Sequence, residues 1–246
     1  MSVDGLKILV TGASSGIGEH LAKSLAEAGA RVVVAARRLD RLEALAASHD
    51  AITPVALDVG DPDSVKQGVR AAAEAMGGLD GLLNNAGVAW GGHALNMSED
   101  DWTRVIDINV NGVFRVATAC APIMAEDGGG AIVNTASVLS FRPGEKVAAY
   151  ATSKAAVAHL TKSLALEWAP MGVRVNAIAP GYFPTEMTSP FLATPKGQAL
   201  AENVPMRRFG EMHELEGPVE LLLGSRGSFI TGATLAVDGG HLCQSV

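Results

Sequence analysis

Cysteine is scarce in this chain: 246 residues hold two, Cys120 and Cys243. Two cysteines are too few for a disulfide scaffold and match no metal-ligand spacing, so no metal site is expected. Runs of positive charge are missing as well. The densest are the pairs Arg37-Arg38 and Arg207-Arg208, and the formal net charge is −7. A chain of that sign without a basic cluster lacks the footprint of a nucleic-acid binder, and no nucleic-acid partner is expected. There is no stretch of roughly 18 or more apolar residues to suggest a membrane span. The N-terminus has no basic region followed by a long apolar run, and Leu6–Val10 is only strand-length. No membrane partner is therefore expected, and the simplest location is the cytoplasm. What is abundant is apolar sequence, at 48% of residues. That suffices for one large core, so residues 1–246 are expected to form a single catalytic domain.

Strand and helix patterns alternate almost to the end. Short β-branched runs fall at 6–11, 31–36, 52–57, 79–84, 131–136, 173–179 and 233–237, with helical patterns near 16–28, 40–48, 62–76, 99–126, 151–169 and 214–224 between them. This alternation predicts an α/β fold, a parallel sheet with helices on both faces. One long irregular segment, about 182–212, contains Pro184, Pro190, Pro195 and Pro205. A loop of that length inside a compact domain is usually functional, and here it is expected to act as a substrate lid.

Residues 11–18, Thr-Gly-Ala-Ser-Ser-Gly-Ile-Gly, follow the first strand and open the first helix. Gly12 permits a tight turn, Gly16 lets backbone approach a phosphate, and Gly18 allows close helix–strand packing. Exposed N–H groups and the helix dipole then favour a pyrophosphate, with Ser14, Ser15 and Ile17 in the same loop. An acid about 20 positions later would bind the adenosine ribose of NAD(H). That position is Ala36, followed by Arg37 and Arg38. Arginine attracts a 2′-phosphate where a carboxylate repels it, so NADP(H) is preferred and NAD(H) is the alternative. Asp58, with Val59 beside it, is placed either to accept from the adenine amino group or to build the turn before Gly60.

The sequence Ser137…Tyr150-x-x-x-Lys154 carries the chemistry. A tyrosine is a poor acid–base near neutrality, since its reference pKa is about 10. A lysine four residues on lies on the same helix face, and its charge favours the phenolate. Ser137, on a different element, can donate to a substrate oxygen.

Together these elements resemble the classical short-chain dehydrogenase/reductase family over roughly residues 4–240. The resemblance rests on the 11–18 loop, Asp58, Asn84-Asn85-Ala86-Gly87, Asn109, Ser137, Tyr150, Lys154, Pro180-Gly181 and Asp238-Gly239-Gly240. It implies a Rossmann-like, doubly wound sheet of seven parallel strands in the order 3-2-1-4-5-6-7. It implies a catalytic tetrad of Asn109, Ser137, Tyr150 and Lys154. In that scheme Tyr150 exchanges a proton with the reacting oxygen and Ser137 orients it. Lys154 lowers the Tyr150 pKa and binds the nicotinamide ribose, and Asn109 holds a relay water through its backbone. Asn85, Ala86 and Gly87 would lie beside the cofactor, and Pro180, Gly181, Phe183 and Thr185 would face the nicotinamide. Arg37 would carry most of the 2′-phosphate recognition, because the loop has Ser14-Ser15 where many relatives have a basic residue. A homotetramer or dimer is implied, built on the 99–126 and 151–169 helices and the C-terminal strands, with the tail 241–246 reaching a neighbour.

The expected partner is a small-molecule carbonyl or alcohol substrate. Trp90, Leu139, Tyr182 and Met187 join Ser137 and Tyr150 as its expected walls, which suggests a ketone or secondary alcohol with hydrophobic substituents. Arg142 is expected in solvent, with binding of an acidic group as the alternative. Two other activities share the fold. A lyase or epimerase would use the nucleotide without net consumption, and a nucleotide sensor would not turn over.

Overall fold

A computed structural model describes residues 3–243. The chain runs β1 (Lys7–Thr11), α1 (Gly16–Glu27), β2 (Arg31–Ala36), α2 (Leu39–Ala46), β3 (Ile52–Ala56), α3 (Pro62–Met76) and β4 (Gly81–Asn84). It continues with α4 (Glu99–Ile106), α5 (Gly112–Glu126), β5 (Gly130–Thr135), α6 (Ala148–Trp168) and β6 (Val173–Pro180). Last come α7 (Ser189–Leu192), α8 (Pro195–Asn203), α9 (Glu216–Leu223) and β7 (Thr234–Val237). All seven strands pair in parallel, in the order β3-β2-β1-β4-β5-β6-β7. This is the Rossmann-like, doubly wound sheet expected.

The two-residue period of the strands feeds two cores. Ile8, Val10, Val32 and Val34 pack against α1, α2 and α9 through Leu21, Leu42 and Val219. Leu9, Val33 and Ile132 point the other way, onto Val69 of α3, Val116 and Cys120 of α5, and Leu164 of α6. Cys120 is thus a small core residue, and its burial pushes the thiol far up from its ordinary range.

Helix starts follow local chemistry. Asp61 caps α3 by accepting from the Asp63 N–H at 2.9 Å, with Pro62 in the first turn. Ser98 caps α4 by accepting from the Asp101 N–H at 3.0 Å, ahead of three acidic residues that favour the positive helix end.

Two regions differ from the sequence expectation. The 99–126 pattern reads as one helix, but a π-helical stretch, Asp107–Asn111, separates α4 from α5. The whole run Glu99–Glu126 is long and apolar enough by composition to cross a membrane, with 44% of its most apolar window buried in the protein. The irregular segment 182–212 in turn holds α7 and α8. Pro190 and Pro195 fall in their first turns, where a missing N–H costs nothing, so these prolines start helices instead of excluding them. Residues 244–246 of the tail lie outside the described residues.

The topology places the site. β1 and β4 are neighbours whose chains depart in opposite directions along the sheet, which opens a crevice beyond their carboxyl ends. Thr11, Asn84, Thr135 and Pro180 all end their strands at this edge.

Candidate active site

The glycine loop sits over the carboxyl end of β1. Gly12 has φ +66°, and a Cβ there would come within 2.7 Å of Ala86 Cα. Gly16 has φ +61°, and its Cβ would touch Thr185 at 3.4 Å, so Thr185 stands across the loop mouth. Backbone conformation and close packing both demand glycine here. At Gly18 a Cβ would meet the Asn85 amide and the Gly12 carbonyl at 2.5 Å, so helix α1 can approach the sheet only without a side chain.

Asn85 locks the neighbouring loop. Its amide donates to the carbonyls of Thr11 at 3.3 Å and Gly12 at 3.4 Å, and its side-chain oxygen accepts from the Thr135 hydroxyl at 3.3 Å. The Thr11 hydroxyl accepts from the N–H groups of Asn85 and Ala86, at 3.0 and 3.2 Å. Asn85 therefore ties the ends of three strands together while lining the crevice.

The two arginines differ in what they touch. Arg37 is exposed and lines the crevice. Arg38 is braced on the glycine loop: its guanidinium donates to the Ser14 hydroxyl at 2.9 and 3.2 Å and to the Ser15 hydroxyl at 3.0 Å. The geometry thus favours Arg38, not Arg37, as the cation already positioned beside the loop. Asp58 serves the turn, since its carboxylate accepts from the Gly60 N–H at 2.9 Å, and it also borders the crevice with Val59.

The chemistry-bearing side chains lie at the other end. Ser137 follows β5, and its hydroxyl accepts from the Leu139 N–H at 3.1 Å and hydrogen-bonds Tyr150. Tyr150 and Lys154 are one turn apart on α6, with the Lys154 nitrogen 5.7 Å from the phenol ring centre. That nitrogen donates to the Thr135 carbonyl at 2.6 Å. Ser140 links the two elements: its hydroxyl donates to the Lys154 carbonyl at 2.7 Å and accepts from the Ser137 N–H at 3.2 Å.

Burial governs the electrostatics of this group. It pushes the Tyr150 phenol above its ordinary value; the Ser137 hydrogen bond pulls it back down and Tyr182 pushes it further up. It pushes Lys154 down to about 8. The expected depression of Tyr150 by Lys154 is not among the causes acting on the phenol; burial dominates and disfavours charge on both groups.

Asn109 sits in the π-helical stretch and is fully buried. Its side-chain oxygen accepts from the Val88 N–H at 2.8 Å, and its amide donates to the Val88 carbonyl at 2.9 Å and to the Ser153 hydroxyl at 3.0 Å. Ser153 in turn donates to the Tyr150 carbonyl at 2.7 Å. Asn109 thus fastens the loop after β4 to α6. A Cβ on Gly87 would lie 3.3 Å from the Asn109 side-chain oxygen and 3.6 Å from the Lys154 nitrogen, which fixes how closely these groups meet. Such π-helical stretches are frequent at functional sites.

One cavity of about 310 Å³ joins both ends. The glycine loop, Ile17, Arg37 and Arg38 border it on one side. Ser137, Tyr150 and Lys154 border it on the other, with Pro180, Gly181, Phe183, Thr185 and Met187 along the flank. The fit to a nicotinamide dinucleotide rests on this cradle, whose glycines a Cβ would fill, and on the cation beside it. Of the expected substrate walls, only Met187 borders the cavity beside Ser137 and Tyr150. Trp90 folds onto Gly92, Leu139 lies against Gly144, and Tyr182 packs edge-on to His241 with ring centres 5.5 Å apart. Arg142, expected in solvent, is half-buried and donates to the His241 carbonyl at 2.8 Å.

The sequence reading missed Thr135, Ser140 and Ser153 as site-building residues. The adjacency of Ser153 to Lys154 was the available signal; for Thr135 and Ser140 there was none at the level of spacing. The Asp238-Gly239-Gly240 run has a structural explanation. Its aspartate accepts from the Gly240 and Leu242 N–H groups at 2.9 and 2.8 Å, and its Cα would lie 2.8 Å from a Cβ on Gly181.

Comparison with known proteins agrees with this geometry. The family model described as enoyl-(acyl carrier protein) reductase matches residues 12–241. Gluconate 5-dehydrogenase of Gluconobacter oxydans is 41% identical, over 97% of this chain and 95% of that protein. A 3-oxoacyl-[acyl-carrier-protein] reductase of Thermotoga maritima is 34% identical, over 98% and 99%. The crystal structure of a gluconate 5-dehydrogenase from Burkholderia cenocepacia, in complex with NADP and tartrate, superposes with a TM-score of 0.94 at 35% identity, covering 98% of this chain and 97% of that one. With the sheet order, the glycine loop and the serine–tyrosine–lysine cluster in one crevice, these matches place the chain in the short-chain dehydrogenase/reductase family of oxidoreductases.

Proposed function

We propose that this protein is an NADP(H)-dependent oxidoreductase that interconverts a ketone and a secondary alcohol, with Tyr150 as the general acid–base. The observation that carries this reading is the single cavity with the loop-braced Arg38 at one end and the Ser137–Tyr150–Lys154 cluster at the other. Ser14, Ser15 and the loop N–H groups would hold the pyrophosphate, Arg38 and Arg37 the 2′-phosphate, and Lys154 the nicotinamide ribose. The dinucleotide, when bound, supplies or accepts the hydride.

The residues of the chain supply position and a proton. Ser137 donates to the substrate oxygen and fixes its distance from Tyr150. Tyr150 keeps its proton near neutrality because burial raises its pKa, and that is the state a ketone needs in an acid. Oxidation of an alcohol needs the phenolate, so the oxidative rate should climb with pH. Lys154 anchors to Thr135, and wherever it keeps its proton its charge favours that phenolate. Asn109 acts through Val88 and Ser153, by holding the loop and the helix at a fixed separation.

One support bears on the substrate. The relatives named gluconate 5-dehydrogenase act on a polyhydroxylated acid. This favours a hydroxy acid or polyol over the hydrophobic ketone suggested by Trp90 and Leu139, neither of which borders the cavity. Segment 182–212 is the part that closes over this substrate. Exposed Phe114 on α5 and Leu166 on α6 support assembly into a homotetramer through those helices, which a solution mass would test.

The test is consumption of NADPH and NADH over a panel of sugar-derived keto acids, polyol-derived ketones, β-ketoesters and aryl ketones. Turnover favouring NADPH on the keto acids is expected. Substrate conversion without net cofactor consumption would replace this reading with a lyase or epimerase.

A further inference from the structure

Glu186 follows Thr185, in the segment between β6 and α7, and borders the same cavity as the glycine loop. Its carboxylate reaches across to the β2–α2 connection. One oxygen accepts from the Arg41 guanidinium at 2.8 Å, and the other lies 3.8 Å from the Arg38 guanidinium. Arg38 is at the same time bonded to Ser14 and Ser15. A carboxylate carried by the substrate-side segment therefore shares the cation that a 2′-phosphate would need. We infer that Glu186 is a cofactor-specificity residue, an internal anion that competes with the 2′-phosphate for Arg38 and so limits discrimination between NADP(H) and NAD(H). This rests on the dinucleotide reading of the cavity.

Three physical points support the assignment. The competing groups are like-charged, and a phosphate monoester carries about −1.5 to −2 near neutrality against −1 for the carboxylate. The phosphate wins the exchange, but against a standing repulsion from Glu186. The pair it displaces is weak, because the side chains of Arg38 and Glu186 are 45% and 61% exposed, so the carboxylate tunes affinity without blocking it. An adenosine ribose without the phosphate leaves Glu186 on Arg38 and Arg41, and it also leaves segment 182–212 tethered over the loop. Glu186 therefore acts on one cofactor and spares the other.

The experiment is fluorescence titration of NADPH and of NADH into the full-length protein at low ionic strength, for wild type, Glu186→Gln and Arg38→Ala. Glu186→Gln is expected to lower the NADPH Kd by about three- to tenfold while moving the NADH Kd less than about twofold. Added salt should shrink the difference. Glu186→Asp, which keeps the charge on a shorter stem, should fall between wild type and Gln. An unchanged NADPH-to-NADH ratio in Glu186→Gln, together with a collapsed ratio in Arg38→Ala, overturns the assignment of Glu186 alone. A ratio unmoved by Arg38→Ala and by Arg37→Ala overturns the 2′-phosphate reading, and this inference with it.

Discussion

At the glycine-loop end the cavity is shaped by backbone; at the Tyr150 end it is shaped by side chains. Gly12 and Gly16 are held at positive φ, and Gly12 and Gly18 leave no room for a Cβ against Ala86, Asn85 or neighbouring backbone. The opposite end depends on hydroxyls and amides that hold each other: Ser137 on Tyr150, Ser140 on Lys154, Asn109 on Val88 and Ser153. On the proposed reading, the loop backbone of the first end recognises what all dinucleotides share, and the second end decides what reacts. A fault in the loop backbone should weaken binding of both cofactors together, and a fault at the second end should spare binding and abolish turnover.

The sharpest test of that division is Tyr150→Phe. Turnover is expected to fall by about 10²- to 10⁴-fold, the usual worth of a general acid–base, with cofactor Kd within about twofold of wild type. A steady-state rate above a tenth of wild type would sink the acid–base assignment.

Lys154→Met probes the cost of the same end. Lys154 titrates at about 8 in the folded protein against 10.5 when unfolded, so the unfolded chain binds the proton more tightly between those values. Folding is penalised below about pH 8, and the penalty is relieved as pH rises toward 10.5. The gap corresponds to about 3 kcal/mol at most. Urea unfolding of both proteins near pH 7 and near pH 10 is expected to show the variant gaining on wild type at the lower pH, with loss of activity at both.

Gly12→Ala should strike the backbone end. A side chain at φ +66° and 2.7 Å from Ala86 Cα is expected to cost about 2 kcal/mol of stability, read as a lowered urea midpoint. It should also raise the Kd of NADPH and NADH by similar factors. A change in one cofactor only would show that the loop is not the shared element.

Arg38→Ala should instead separate the cofactors. Loss of a charge-assisted contact worth about 1.5–3 kcal/mol would raise the NADPH Kd by about ten- to a hundredfold and leave NADH almost unmoved. Arg37→Ala, the smallest effect expected, should change the ratio by less than about threefold. The reverse order would return the main role to Arg37.

The backbone end was also the legible end. Glycine spacing after a strand encodes a conformation directly, and the missing acid at Ala36 could be read without coordinates. Sheet order and the Ser137–Tyr150–Lys154 grouping followed from resemblance, since seven alternating units do not by themselves give an order. Which arginine is braced on the loop was not legible: adjacent residues differ only in direction, and the Ser14 and Ser15 hydroxyls that hold Arg38 lie more than 20 positions away. The π-helical stretch was hidden, and the groups that Asn109 meets from it, Val88 and Ser153, are distant in sequence. The prolines of segment 182–212 misled because proline ends one helix and begins another with the same chemistry.

The Ser140 hydroxyl bridges the backbone of Ser137 to that of Lys154. Two groups brought to the site by separate elements therefore keep a mutual spacing set by a local bond that does not involve residues 182–212. On the proposed reading of that segment as the part that closes over the substrate, sequence drift there would re-aim the enzyme at a new alcohol or ketone without disturbing the reacting distances. Such modularity lets one scaffold diversify its clientele while its proton chemistry stays inherited.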